Sequence, residues 1–240
     1  MKIDVYLTPV PFTKSKVEDK TVVVIDVLRA TTTICQALSV GAKAVIPTDG
    51  RGEAGEMWIK LGHETTVLAG EQNGKKIENF QLGNSPYEFT SESVKGKSII
   101  MTTTNGTPVF KYCKNAKTVM AAGFVNISKV AGAVKPGKNL VIACSGKDGQ
   151  FSIEDTLCAG MLIELLQKDE SEQYLLNDAG KLAHLLYKTN HSRLEATILE
   201  GEHGRFLQTI GFTRDVSFAS QIDAVPVLPL LKNGQLIIEK

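Results

Sequence analysis

Short runs of apolar, mostly β-branched residues alternate along the chain with segments of helical periodicity. Several of the runs are continuously apolar, which is typical of a strand that is covered on both faces. They predict strands at 3–8, 21–27, 42–48, 65–71, 97–104, 117–123 and 138–146. Because helical segments lie between them, the alternation predicts right-handed crossovers and an α/β fold: a three-layer arrangement with a mostly parallel or mixed sheet flanked by helices.

Capping residues mark several of the predicted helices. Gly41 and Gly62 each follow an apolar helical segment, where a C-terminal glycine accommodates the left-handed conformation. The segment 85–88 (Ser-Pro-Tyr-Glu) matches a capping box with proline at the first helical position. The pattern predicts helices at 31–41, 53–62, 85–93, 107–116, 126–135 and 152–168.

The pattern changes after about residue 170. We expect a helix over 171–190, with an apolar inner face made of Leu175, Leu182, Leu185 and Leu186. The tail over 211–240 contains two prolines and an Asn-Gly pair between short apolar runs, which predicts a strand and a hairpin.

No linker or fixed-period repeat interrupts the chain, so the prediction is one compact α/β domain over 1–240. The segments DVLRATTTI and IIMTTTNGTPV resemble each other, which suggests two related halves.

Polar residues collect at the carboxyl ends of the predicted strands, and a helix follows each set. In an open α/β sheet ligands bind beyond these strand ends, and helix N-termini there offer free N–H groups to a phosphate. The sets are Asp26, Arg29 and Thr31–Thr33; Thr102–Thr107; and Ser145–Asp148 with Glu154 and Asp155.

Acidic residues in these sets, together with Glu71 at a further strand end, are of the type that binds Mg²⁺. Mg²⁺ needs only one or two protein carboxylates when phosphate and water fill the remaining positions, and it polarises an attacking water. The candidate metal ligands are Asp26, Glu71, Glu154 and Asp155. Helix capping alone also explains Asp155, and both interpretations stay open.

Several well-known signatures are absent: the P-loop, the haloacid-dehalogenase aspartate pair, the cysteine phosphatase loop and the GxSxG elbow. One competing motif is present, since residues 50–55 match GxGxxG after a predicted strand, and Glu71 follows at the distance of a ribose-binding acid. Pro47 breaks that strand early. A dinucleotide-dependent oxidoreductase is therefore the alternative hypothesis.

Charge and composition argue against some classes of binding partner. The net charge is +1 with no basic half, which gives no reason to expect nucleic acid or an anionic membrane as partner, and no apolar stretch is long enough to span a bilayer. The N-terminus lacks the apolar run of a signal peptide, and the four cysteines form no CxxC pair, so we expect a cytoplasmic protein with buried, reduced thiols. The sequence is also compatible with a homodimer.

The histidines show no metal-binding spacing, although His203 in EGEHGR lies among charged residues.

At these clusters the sequence resembles the 2-phosphosulfolactate phosphatase family, the ComB-like proteins. The matching blocks are VIDVLRATTTI (24–34), AGE (69–71), FQLGNSP (80–86), TTTNGT (102–107), ACSG (143–146), ED (154–155) and GFTRDVSFAS (211–220). The resemblance implies a Mg²⁺-dependent phosphatase that converts (R)-2-phospho-3-sulfolactate to sulfolactate and phosphate on the route to coenzyme M. It also implies a fold of its own, different from the Rossmann and haloacid-dehalogenase folds.

A small anionic phosphorylated substrate of this kind requires several cationic and N–H donors. We expect the catalytic group to comprise Asp26, Arg29, Glu71 and Asp155. The expected substrate-binding residues are Thr31, Thr32, Asn84, Thr103, Asn105, Gly106, Thr107, Ser145, Lys147 and Arg214. Direct attack by water and an aspartyl-phosphate at Asp26 both remain open. So do a different phosphorylated hydroxy acid as substrate and an anion-binding module without catalysis.

Overall fold

The computed structural model describes residues 1–9, 14–134, 139–168 and 173–239, and all structural statements below refer to these residues. A single mixed sheet of eleven strands runs through them. The strands are β1 Lys2–Tyr6, β2 Thr21–Ile25, β3 Ala44–Thr48, β4 Thr66–Gln72, β5 Lys75–Lys76, β6 Ser98–Thr102, β7 Thr118–Ala122, β8 Leu140–Cys144, β9 Leu175–Leu176, β10 Pro229–Lys232 and β11 Gln235–Ile238.

The strand order is β5-β4-β6-β3-β11-β10-β7-β2-β8-β1-β9. Two parallel groups, β4-β6-β3 and β7-β2-β8-β1-β9, lie on either side of the β10–β11 hairpin. The hairpin is antiparallel to both groups, pairing Leu230 with Met120 of β7 and Leu236 with Val45 of β3. The hairpin therefore joins the two groups into one sheet.

Helices cover both faces of the sheet. They are α1 Lys14–Val17, α2 Ala30–Ser39, α3 Arg51–Leu61, α4 Ser91–Val94, α5 Gly106–Tyr112, α6 Ile127–Ala133, α7 Ile153–Leu166, α8 Asp178–Asn190, α9 Leu194–Glu200, α10 Glu202–Thr209 and α11 Thr213–Ala219. None of the helices in the described ranges is long and apolar enough to cross a membrane.

Strand β2 shows how the layers form. Val23 and Ile25 pack into one hydrophobic cluster, whereas Val22 and Val24 pack into another on the opposite face. Successive side chains of a strand point to opposite faces, so a strand covered on both sides must be apolar throughout. The prediction of an α/β fold with a mixed sheet flanked by helices is confirmed.

The predicted helix over 171–190 is wrong in its first part and in its inner face. Residues 171 and 172 lie outside the described residues, and α8 begins only at Asp178 after the short strand β9. Of the four leucines expected inside, three are largely exposed, namely Leu175 at 67%, Leu182 at 54% and Leu185 at 61%.

The reason for this difference is close packing between α7 and α8. A Cβ atom at Gly160 of α7 would lie 2.1 Å from the Ala183 carbonyl oxygen of α8. The two backbones therefore meet at small residues, which places Ala183 and Leu186 inward and turns Leu182 and Leu185 of α8 outward.

The C-terminal hairpin is confirmed, with Asn233 and Gly234 at positive φ in its turn. The residues before it were predicted wrongly, because 213–219 form the helix α11 rather than a strand. The predicted helix over 85–93 is a 3₁₀ turn at Pro86–Glu88 followed by α4, and the capping box at Ser85 is present. The predicted ends at Lys135 and Lys138 lie outside the described residues.

All four cysteines are buried and unpaired. Burial raises the pKa of the Cys113 thiol to about 12, so this thiol stays protonated at neutral pH. The prediction of buried thiols is confirmed.

Candidate active site

A polar cavity of about 260 Å³ opens at the carboxyl ends of β2, β4 and β6. Strands that run parallel end at the same edge of a sheet, which brings together residues from distant parts of the chain. The cavity is lined by Asp26, Leu28, Arg29, Glu71, Asn73, Gly74, Asn84, Thr103, Thr104, Asn105, Lys147, Asp148, His203 and Phe206.

Asp26 follows β2 directly and is 4% exposed. Its Oδ1 atom accepts a hydrogen bond from the Ala30 N–H at 3.1 Å, at the start of α2. Burial raises the pKa of Asp26 to about 6; the positive charge of His203 opposes this rise and the negative charge of Glu71 adds to it. A Cβ atom at Gly106 would lie 2.3 Å from the Asp26 Oδ2 atom, so only glycine leaves room for this carboxylate.

Arg29 also lines the cavity and is held by three contacts. Its Nη1 atom donates to Asp215 Oδ2 at 2.7 Å, and its Nη2 atom donates to the Gly74 carbonyl oxygen at 2.6 Å. The guanidinium lies 4.3 Å from the ring centroid of Phe212. Asp215 lies on α11, and the sequence reasoning missed it, although it is the immediate neighbour of the candidate Arg214.

Glu71 lines the cavity, but both of its carboxylate oxygens accept backbone hydrogen bonds. Oε1 accepts from the Thr104 N–H and Oε2 from the Gly74 N–H, each at 2.7 Å. The carboxylate thus ties the end of β4 to the loop that follows β6. Through these two bonds Glu71 supports the cavity wall.

Asp155 lies beneath the cavity rather than in its lining. Its Oδ1 atom accepts from the Val27 N–H at 2.8 Å, and its Oδ2 atom accepts from the Gly146 N–H at 3.0 Å and the Ser145 hydroxyl at 3.1 Å. Burial raises the pKa of Asp155 well above its usual range, and the charges of Glu154 and Asp26 raise it further. The carboxylate joins the loops after β2 and β8 and does not face the cavity.

Glu154 and His203 form a pair, with 2.9 Å between Glu154 Oε1 and His203 Nδ1. The Glu154 side chain is 2% exposed, and its second oxygen, Oε2, is buried without a hydrogen-bond partner. His203 of α10 lines the cavity and was not among the predicted site residues; its only signal in the sequence was the charged segment EGEHGR.

The loop over 102–107 contributes three lining residues, Thr103, Thr104 and Asn105. Thr103 and Thr107 bond each other, since the Thr107 N–H donates to Thr103 Oγ1 at 2.9 Å and the Thr103 N–H donates to Thr107 Oγ1 at 3.0 Å. Asn105 Oδ1 accepts from the Asp148 N–H at 3.1 Å, which connects this loop to the one after β8.

The predicted site residues therefore fall into three groups. The cavity lining contains Asp26, Arg29, Glu71, Asn84, Thr103, Asn105 and Lys147. Buried beneath or beside it lie Thr31, Thr32, Gly106, Thr107, Ser145, Glu154 and Asp155. Arg214 is outside both groups: it is exposed and stacks on Tyr87 at 4.6 Å, so the structure does not bring it to the cavity.

The predicted group of four metal-binding carboxylates is not present as such. Within the described part of the chain, no three His, Cys, Asp or Glu side chains converge where they could hold one ion. The donors that fit Mg²⁺ are fewer: the carboxylate of Asp26, and Asn84 Oδ1, which is buried without a hydrogen-bond partner. One carboxylate and one amide oxygen would be enough protein ligands for Mg²⁺ if phosphate and water supplied the others.

The GxGxxG segment does not have the packing of a dinucleotide site. It opens α3, but a Cβ atom at Gly50, Gly52 or Gly55 would meet nothing within 4 Å. In dinucleotide-binding folds these glycines allow close approach of the cofactor and close packing of helix on strand. Gly55 is not packed closely against another element here, so the alternative hypothesis lacks the helix packing that the third glycine allows.

Comparison with known proteins agrees with these features. The family model described as 2-phosphosulpholactate phosphatase matches residues 6–234. A protein of Caldanaerobacter subterraneus subsp. tengcongensis named "Probable 2-phosphosulfolactate phosphatase" is 42% identical over 218 residues, which cover 90% of each chain. Proteins with the same name are 37% identical in Thermotoga petrophila, covering 99% of each chain, and 36% identical in Clostridium acetobutylicum, covering 99% of this chain and 100% of the other.

Proposed function

The chain belongs to the 2-phosphosulfolactate phosphatase family of phosphoric monoester hydrolases, and from this membership we propose that it hydrolyses 2-phosphosulfolactate to sulfolactate and phosphate with Mg²⁺. Release of sulfolactate for a pathway of the coenzyme M type is the metabolic role that we infer. The observation that carries the proposal is the buried carboxylate of Asp26 in a polar cavity of about 260 Å³.

The charges of the cavity support a divalent cation as part of the reaction. Arg29, Lys147 and His203 line it together with three acids, Asp26, Glu71 and Asp148, so the acids offset the cationic side chains. A phosphomonoester that also carries a carboxylate and a sulfonate would bind this lining more favourably with further positive charge.

Asp26 and Asn84 would hold the Mg²⁺ ion in this proposal. When bound, the ion neutralises phosphoryl oxygens and makes phosphorus easier to attack. The buried amide oxygen of Asn84, which has no partner in the described residues, supports this role because an unpaired polar atom is costly in a protein interior.

The remaining lining residues would bind and orient the substrate. The Asn105 side-chain amide and the Thr103 hydroxyl offer donors to the phosphoryl group, and Arg29 offers N–H groups to the anions that are not transferred. Phe206 forms an apolar wall, which limits the access of bulk water. With a pKa of about 6, Asp26 is mostly ionised at pH 7, as either a general base or a nucleophile requires.

The test is phosphate release from a panel of phosphorylated hydroxy acids that includes 2-phosphosulfolactate, with Mg²⁺ and with EDTA. We expect release that depends on Mg²⁺, with the highest kcat/KM for 2-phosphosulfolactate. Equal turnover in EDTA would contradict the metal requirement, and a higher kcat/KM for another member of the panel would change the substrate. Trapping with beryllofluoride separates the two routes of attack, because an adduct at Asp26 forms only if this residue is the nucleophile.

A further inference from the structure

Asp215 lies 186 positions after Arg29 in the chain, and both side chains are 3% exposed in the folded protein. One carboxylate oxygen of Asp215 accepts from Arg29 at 2.7 Å, and the other accepts from the Ser85 hydroxyl at 2.7 Å. Ser85 follows Asn84, so this single carboxylate connects two residues of the cavity lining to helix α11. Both of its oxygens are used, and it does not itself line the cavity.

The Arg29 guanidinium has little freedom to move. Asp215 and the Gly74 carbonyl oxygen each take one N–H group, and the ring of Phe212 covers one face of the guanidinium plane. An arginine side chain has five N–H donors. The Nε–H and one N–H on each terminal nitrogen therefore have no partner among the described residues, and Arg29 lines the cavity.

Charge neutralisation is the second consequence of this contact. A carboxylate at 2.7 Å offsets most of the guanidinium charge, so Arg29 attracts distant anions only weakly. Arg29 therefore acts mainly through its free N–H donors, whose direction is fixed. Such donors bind an anion that is presented at the right place and angle, whereas a mobile lysine would bind an anion in many positions.

We infer that Asp215 is a positioning residue: it holds Arg29 so that its free N–H groups bind the carboxylate or sulfonate of the substrate that is not transferred. The inference rests on the proposed function. The new element is that the Asp215–Arg29 pair determines which phosphomonoesters the protein selects. It predicts that Asp215 affects substrate binding only through Arg29.

The primary test is Asp215→Asn, which keeps the size of the side chain and removes its charge. We expect the KM for 2-phosphosulfolactate to rise by about 10- to 100-fold, the range for loss of an oriented hydrogen bond to a charged group, while kcat changes by less than about threefold. Inorganic phosphate should inhibit both proteins equally within about twofold, because it lacks the second anion. A lower melting temperature with an unchanged KM would overturn the inference.

A double variant separates a loss of positioning from a loss of folding. Asp215→Asn alone leaves a buried arginine unpaired, whereas Arg29→Gln combined with Asp215→Asn removes both charges and is expected to fold. If Asp215 acts through Arg29, the double variant has the KM of Arg29→Gln alone, within about twofold. An additional rise in KM in the double variant would overturn the inference. Asp178→Asn, an exposed acid at the start of α8, is the matched control, and its KM should not change.

Equilibrium binding separates this inference from the proposed function. Titration calorimetry with sulfolactate, which carries the second anion but no phosphate, measures the Asp215 effect without turnover. If the protein releases no phosphate, the proposed function fails, yet a sulfolactate affinity that is at least about tenfold weaker in Asp215→Asn still supports the positioning role. Equal affinity in the two proteins, or no binding of sulfolactate to the unaltered protein, would overturn it.

Discussion

The polar residues at the strand ends form two layers that differ in how completely their hydrogen bonds are satisfied. The cavity layer consists of Asp26, Arg29, Asn84, Asn105 and His203. The supporting layer lies beneath it and consists of Thr31, Thr32, Thr107, Ser145 and Asp155.

The two layers differ in how their polar atoms are bonded. In the cavity layer, Asn84 Oδ1 is unpaired and three N–H groups of Arg29 have no partner in the described residues. In the supporting layer, both oxygens of Asp155 accept hydrogen bonds, and the hydroxyl of Thr32 donates to the Val27 carbonyl oxygen. We therefore expect substitutions in the cavity layer to reduce activity, and substitutions in the supporting layer to reduce stability.

The largest expected effect follows from Asp26→Asn. The change removes the carboxylate that would hold Mg²⁺ or attack phosphorus, so kcat/KM should fall by at least about 1000-fold. The melting temperature in EDTA should not fall, because asparagine removes a buried charge and keeps the shape of the side chain. The measurements are phosphate release in saturating Mg²⁺ and thermal unfolding. If Asp26→Asn kept more than a tenth of the original activity, the assignment of Asp26 to the cavity layer would be wrong.

Asp155→Ala should have the next largest effect, this time on stability. It leaves the N–H groups of Val27 and Gly146 and the Ser145 hydroxyl without their acceptor, so the free energy of unfolding should fall by about 3 kcal/mol. Urea unfolding measures this loss. The milder Asp155→Asn, assayed where it is folded, should retain at least about 100-fold more activity than Asp26→Asn. If both asparagine variants are equally inactive, Asp155 belongs to the cavity layer.

The pH dependence of stability in EDTA gives a smaller effect. Because burial raises the pKa of Asp26 to about 6, the folded protein binds this proton more tightly than the unfolded chain does. Stability from this group is therefore present at low pH and lost as the pH rises through about 6. The advantage of Asp26→Asn in melting temperature should shrink as the pH falls from 7 to 5. An advantage that stays constant over this range would contradict the prediction.

Thr32→Val should give the smallest effect. Valine keeps the branched shape but loses the 2.8 Å hydrogen bond from the Thr32 hydroxyl to the Val27 carbonyl oxygen, at a cost of about 1 kcal/mol in unfolding free energy. We expect kcat/KM to stay within about twofold of the original value. The matched substitution in the cavity layer, Asn84→Leu, should do the reverse, with activity lost and little stability lost. Loss of activity in Thr32→Val would show that the threonines after β2 contact the substrate.

Part of the site could be predicted because strand ends are local features of a sequence. Asp26 directly follows the run 22–25, and its burial and its place at a strand end follow from that position. The bonding state of each acid could not be predicted in this way. Asp155 and Glu71 look like metal ligands in the sequence, and in the fold their oxygens accept hydrogen bonds from N–H groups of loops that follow other strands.

The sequence by itself determined the alternation of strands and helices, the C-terminal hairpin and the strand ends where polar residues gather, because apolar periodicity and turn residues act over a few neighbouring positions. Only the tertiary structure decided that α8 turns Ala183 and Leu186 inward and leaves Leu182 and Leu185 exposed, and that Asp215 rather than Arg214 contacts Arg29. Both outcomes depend on which surfaces meet after long crossovers. A contact over 186 positions of chain leaves no periodic trace in the residues on either side of it.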